Sequence, residues 1–248
     1  MPQDAIYLFC FAGAKAAVKA DGVWVHRFDC CSAVVTRVPV DEFSEANLQN
    51  PDWLVPRATW HEQVVEATMR TSPVLPAPFG TLFSGLESFG QFVDAHVDQI
   101  RSFLREVSGR EEWSVKVRAD KRLVPPAADV TTMPPGQRYL HEKKAGSRTD
   151  PVSPLQRAAQ EVLGDLGDMA HAHAVRKAFD EEEKRVIAHT AFLVDEDRRE
   201  AFHALVAAAA QEYQPHGLEF AVSGPWPPYS FVPALSDEPA ASPVDGGR

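Results

Sequence analysis

The chain has 248 residues, 44% of them apolar and 24% charged, the composition of a globular protein with material for a sizeable core. A formal net charge of -10 repels phosphate backbones and anionic lipid, which argues against nucleic acid and membrane surfaces as partners. No apolar run approaches the roughly 20 residues of a spanning helix, and three cysteines without a CxxC spacing fit a reducing cytoplasm.

The chain opens on strands. "AIYLFCFA" reads as one, and two more apolar runs, Val23 to Phe28 and Ala33 to Val38, follow across a small-residue break. A helix is predicted around "ATWHEQVVEA", where Trp60, Val64, Val65, Thr68 and Met69 form one stripe. Pro73, Pro76 and Pro78 stop it, and "PVLPAPFG" reads as a rigid turn between two helices, with a partner contact as the alternative. The next helix carries Leu86, Phe89, Val93, Val97, Ile100, Leu104 and Val107 at steps of three and four, and Gly109 ends it. In "EWSVKVRA" the alternation of Trp113, Val115 and Val117 with polar residues predicts a half-buried strand.

The proline-rich "LVPPAADVTTMPPG" marks the expected domain boundary, giving domains at 1–122 and 123–235 and a disordered tail at 236–248. A short helical piece, "QRYLHEKKA", and a break at "GSRTDPVSP" come next. From Leu155 a long helix is expected to reach Phe179, with Ala159, Val162, Leu166, Met169 and His173 on one face. A strand ("VIAHTAFLV"), a helix stripe (Phe202, Leu205, Val206, Ala209) and a second strand ("GLEFAVSG") close the fold.

No catalytic set or metal site assembles from spacing. "HEQVV" begins like a zinc-protease helix, but Val65 stands where the second histidine belongs, so His61 and Glu62 read as the wet face of a helix. His171 and His173 diverge by about 200° on a helix and do not chelate together. Cys30 and Cys31, in strand-like sequence, read as buried small residues, not nucleophiles. Gly-rich phosphate loops and nucleophile elbows are absent.

"VLPAPFGTLF" (Val74 to Phe83), followed by the amphipathic helix and "GREEWSVKV" (Gly109 to Val117), resembles the central signature of the gas vesicle GvpF/GvpL family. "GPWPPYSFV" (Gly224 to Val232) is similar to that family's closing signature, "GQRYLHEKK" to its Gly-x-x-Tyr-Leu helix start and "HTAFLV" to its penultimate strand. "ATWHEQVVEA" matches the helix ahead of the proline-rich turn. One departure is Pro78, where many members carry a basic residue. The resemblance implies an α+β protein of two domains, an N-terminal mixed α+β domain and a C-terminal ferredoxin-like one. It also implies a non-enzymatic accessory or minor structural role in the cytoplasm, at the gas vesicle, with the hydrophobic shell protein and other accessory proteins as partners. Neither cofactor nor metal is expected. A small-ligand sensor or enzyme built on the ferredoxin-like domain is the alternative.

In the closing segment, Gly224 permits a turn, and Pro225, Pro227 and Pro228 keep the chain stiff. Trp226, Tyr229 and Phe231 then either pack into the C-terminal domain as a clasp or offer a preordered partner contact. With Phe79 of "PVLPAPFG", these three are the candidate partner-binding residues.

Overall fold

The computed structural model describes residues 4–120, 154–179 and 184–235. The protein is α+β, and the chain divides into two compact units, Met1–Arg110 with Trp226–Arg248, and Glu111–Pro225. The proline-rich connection, the "QRYLHEKKA" helix, the "GSRTDPVSP" break and the tail at 236–248 lie outside the described residues.

In the first unit, β1 (Asp4–Ala12) pairs antiparallel with β3 (Ser32–Pro39), which pairs with β2 (Trp24–Arg27). On the other side of β1 lie β4 (Val74–Pro76) and β5 (Leu82–Phe83). The segment read as a rigid turn therefore contributes a strand, with Leu75 opposite Phe11. Its prolines are tolerated because β4 is an edge, where a missing N–H leaves no ladder bond unmade. A one-turn α1 (Glu45–Leu48) precedes α2 (Pro51–Met69), and α3 (Leu86–Glu106) follows β5. The register of β1 slips between Leu8 and Cys10. That bulge keeps Tyr7, Phe9, Cys10 and Ala12 in one cluster with Val64 and Val65 of α2. Phe11 instead stacks on Phe89 and Phe92 of α3. Eight of the nine β1 residues are buried, which is why its sequence is a continuous apolar run and not an alternation.

The second unit is built from β6 (Arg110–Asp120), α4 (Pro154–Met169), β7 (Ala172–Val175), β8 (Lys184–Asp195), α5 (Arg199–Tyr213) and β9 (Leu218–Trp226), with the end residues Arg110 and Trp226 falling to the first unit. The sheet order β7-β8-β6-β9, with the described elements running strand, helix, strand, strand, helix, strand, is the ferredoxin-like split arrangement. Trp113, Val115 and Val117 pack with Leu166, Phe192, Phe202, Val206 and Leu218 in one core, so both helices cover the same sheet. The expected boundary after residue 122 is corrected: the division falls at Arg110. β6 hydrogen-bonds between β8 and β9, at the centre of the second sheet, and supplies the first strand that the ferredoxin-like order needs.

A second correction concerns the helix expected to run to Phe179. It stops at Met169, whose carbonyl accepts from the Arg198 guanidinium at 3.1 Å. Residues Ala172–Val175 form β7, paired with β8 so that His173 stands opposite Phe192. Exposure alternates along β7, as a period of two requires. The side chain of His173 lies over Gly167 of α4, where an added Cβ would come within 3.1 Å of its ring.

Candidate functional site

"PAPFGT" explains how Phe79 is presented. Thr81 N donates to the Pro78 carbonyl at 3.2 Å, and Gly80 has φ 84°, so Pro78 to Thr81 is a turn of the type that puts a left-handed residue third. Phe79 then sits at the second turn position and is half-buried. Its ring lies 6.2 Å from Tyr7, 6.1 Å from Phe43 and 5.9 Å from His61, centroid to centroid.

Phe79, Tyr7 and Phe43, with Trp60, form one wall of a cavity of about 310 Å³ in the first unit. Its volume lies at the small end of the range for ligand pockets. The charged lining is Arg37, Arg57 and Glu42. Arg57 is fixed twice, by the Glu42 carboxylate at 2.9 Å and by lying 4.3 Å over the Trp53 ring. An aromatic wall with guanidinium groups beside it is suited to gripping a bulky apolar side chain that has an acceptor next to it.

Behind the rings lies a polar cluster that the sequence did not announce. His61, expected on the wet face of α2, is 2% exposed, and its Nδ1 lies 2.7 Å from the Tyr7 hydroxyl. The buried stripe of α2 is His61, Val64, Val65 and Thr68, which turns His61 inward against β1. Burial pushes the imidazole down to about 4, with the Ala77 backbone pulling the other way. Burial also raises the Tyr7 phenol. The neighbouring Glu62 is half-buried, and burial raises its carboxyl, opposed by the Tyr229 hydroxyl beside it. Among the described residues no group of three His, Cys, Asp or Glu side chains is placed to hold a metal ion, and no helix is long and apolar enough to cross a membrane.

The closing segment reaches this cluster. Among the described residues, those from Trp226 to 235 belong to the first unit, which corrects the expectation that the rings clasp the C-terminal domain. Pro227 and Pro228 are buried, and the chain turns there, with Phe231 N donating to the Pro228 carbonyl at 3.2 Å. The Tyr229 hydroxyl is buried near Glu62, Cys10 and Tyr7 without a hydrogen bond of normal geometry, and its phenol is raised by burial and then by the Glu62 charge. Phe231 is half-buried, whereas Trp226 keeps 40% of its surface exposed.

A family model described as gas vesicle synthesis protein GvpL/GvpF matches residues 5–233, both units and the closing segment included. The chain belongs to the GvpL/GvpF family. Gas vesicle protein L of a Streptomyces strain is 28% identical over 232 residues, covering 87% of this chain and 85% of that one. A gas vesicle L protein of Halobacterium salinarum is 26% identical over 241 residues, covering 88% and 80%. Among solved structures, GvpF of Anabaena matches with a TM-score of 0.69 at 18% identity, covering 93% of this chain and 96% of that one. GvpF of Microcystis aeruginosa matches with a TM-score of 0.64 at 17% identity.

Within this GvpL/GvpF protein the four candidate residues therefore separate by burial. Phe79 belongs to the pocket wall, Tyr229 and Phe231 hold the closing segment, and Trp226 presents a ring. Tyr229→Ala is expected to cost about 2 kcal/mol, a partly buried ring lost from a packed site. Trp226→Ala should stay within about 1 kcal/mol of wild type. Urea unfolding of the two variants distinguishes these outcomes, and equal losses would contradict the division.

Proposed function

We propose that this protein is a non-enzymatic assembly factor of the gas vesicle, acting in the cytoplasm by binding the hydrophobic shell protein and supporting its incorporation. The observation that carries this reading is the family match across residues 5–233, which takes in both units and the closing signature. The physics of the surface is compatible with the role. A shell protein with exposed apolar area aggregates unless held, and its holder needs apolar contact area under a charged exterior. The aromatic pocket beside Arg37 and Arg57, and the ring of Trp226, supply the contact area. The net charge of -10 supplies the solubility.

The test pairs capture with deletion. Purified full-length protein should retain the shell protein on a resin, and Phe79→Ala with Trp226→Ala should reduce that capture about tenfold, the equivalent of 1.4 kcal/mol. Cells lacking the gene, and lacking any second family member, should form few or no vesicles. Normal vesicles in those cells, or shell protein that never co-purifies, would overturn the proposal.

A further inference from the structure

The connection between β2 and β3 is a tight turn in which Phe28 N donates to the Cys31 carbonyl at 2.9 Å. It carries two adjacent thiols, Cys30 half-buried and Cys31 2% exposed, whose sulfurs stand 3.4 Å apart. The third cysteine, Cys10, is buried in the core with Tyr7 and Phe9. We propose that Cys30 and Cys31 form a dithiol site for a trivalent, thiophilic centre of the arsenical class, one centre per chain.

Direct bridging is poorly suited to this pair. A disulfide draws its sulfurs to about 2.0 Å and usually joins Cα atoms about 4.4 to 6.8 Å apart. Neighbouring Cα atoms across a trans peptide are held at about 3.8 Å. An inserted atom removes that difficulty. With bonds to sulfur of about 2.3 Å, two sulfurs at the observed separation subtend about 95° at the centre. That angle suits a pyramidal three-coordinate centre. A tetrahedral zinc ion would ask for sulfurs about 3.8 Å apart and for two more ligands, and among the described residues no third His, Cys, Asp or Glu side chain completes such a group. A trivalent arsenical brings its own third substituent and needs only two thiols.

The chemistry balances without an oxidant. An aryl arsenoxide reacts with both S–H groups, two As–S bonds form, the As–O bonding is lost, and the oxygen leaves as water with both thiol protons. Arsenic stays trivalent throughout. Entry is through the half-buried Cys30, and ring closure follows on Cys31. Burial and then the neighbouring Cys30 raise the Cys31 thiol, and the charge of Arg101 on α3 opposes them only in part, so the pair reacts as thiols.

The test is native mass spectrometry of the full chain titrated with phenylarsine oxide, with thermal melts followed by circular dichroism to establish that each variant is folded. Wild type and Cys10→Ser should each take up one aryl-arsenic group, and excess zinc should not protect. Cys30→Ser should lose about a hundredfold or more in affinity, because the second bond of the chelate is gone. Cys30→Ala and Cys31→Ser are further variants expected to behave alike. A folded wild type that takes up no arsenical, or a folded Cys30→Ser or Cys30→Ala that keeps its affinity, would overturn the site.

Discussion

Gly224→Ala is expected to lower the stability of the second unit by about 3 kcal/mol or more. Gly224 has φ 138°, a conformation that L side chains rarely adopt, and a backbone held there costs a substituted residue about 1–3 kcal/mol. Space is the second term. A Cβ at this position would lie 2.8 Å from the Glu112 carbonyl oxygen and 3.0 Å from the Trp113 ring. Neither can retreat cheaply: Glu112 is main chain in β6, and Trp113 is 7% exposed within the core. Overpacking of this kind adds about 1–3 kcal/mol. Gly164→Ala is the control, because its Cβ would meet nothing within 4 Å on α4, and helix propensity then favours alanine by about 1 kcal/mol. Urea unfolding followed by tryptophan fluorescence should therefore move the two midpoints in opposite directions. A Gly224→Ala midpoint equal to wild type would show that the close approach is not maintained in solution.

The difference between what the sequence revealed and what it concealed follows from the range of the forces involved. β1, β3, β6, β8 and β9 were legible because each carries either an alternating apolar pattern or a short apolar run rich in β-branched and aromatic residues. For α3 the period was clear, although its buried face includes His96 and Phe103 and leaves Leu86 49% exposed. β7 was hidden because Ala172 and Ala174 are good helix formers that continue the period of α4. Pairing with β8 overrides that local preference, since an edge of the second sheet is available exactly where the helix ends at Met169. At the candidate site, Phe79 and the closing rings could be named from their stiffness and size. His61 could not, because a histidine carries little hydropathic signal: Val64, Val65 and Thr68 of the expected stripe are buried, but His61 takes the fully buried place expected for Trp60. Trp60 lines the pocket instead, and His61 meets Tyr7. The unit that receives Tyr229 was equally invisible, because the contact with Glu62 joins distant parts of the chain and leaves no local pattern.

His61 supplies the second large effect, a loss of about 3 kcal/mol in first-unit stability between pH 6.5 and pH 4. In the fold the raised Tyr7 phenol stays protonated and donates to Nδ1, leaving the imidazole proton on the buried Nε2, which has no partner of hydrogen-bond geometry. Charging the ring would place a second proton on the nitrogen that Tyr7 already occupies, inside a wall of Phe9 and Phe79. The folded pKa therefore falls from 6.5 to about 4, while the unfolded chain titrates at the ordinary value. Between those two points the unfolded state binds the proton that the folded state refuses. Stability is fully present above pH 6.5 and declines as pH drops toward 4, below which this group contributes no further slope. Glu62 works in the opposite sense, because its raised carboxyl stabilises the fold as pH falls through the window above 4.5. His61→Gln keeps Glu62, retains an acceptor for Tyr7 and does not titrate, so the difference between the two pH curves isolates the imidazole. Denaturant midpoints measured from pH 7.5 to 4 should fall more steeply for wild type than for His61→Gln, and parallel curves would mean that the imidazole takes its proton in the fold as readily as in water.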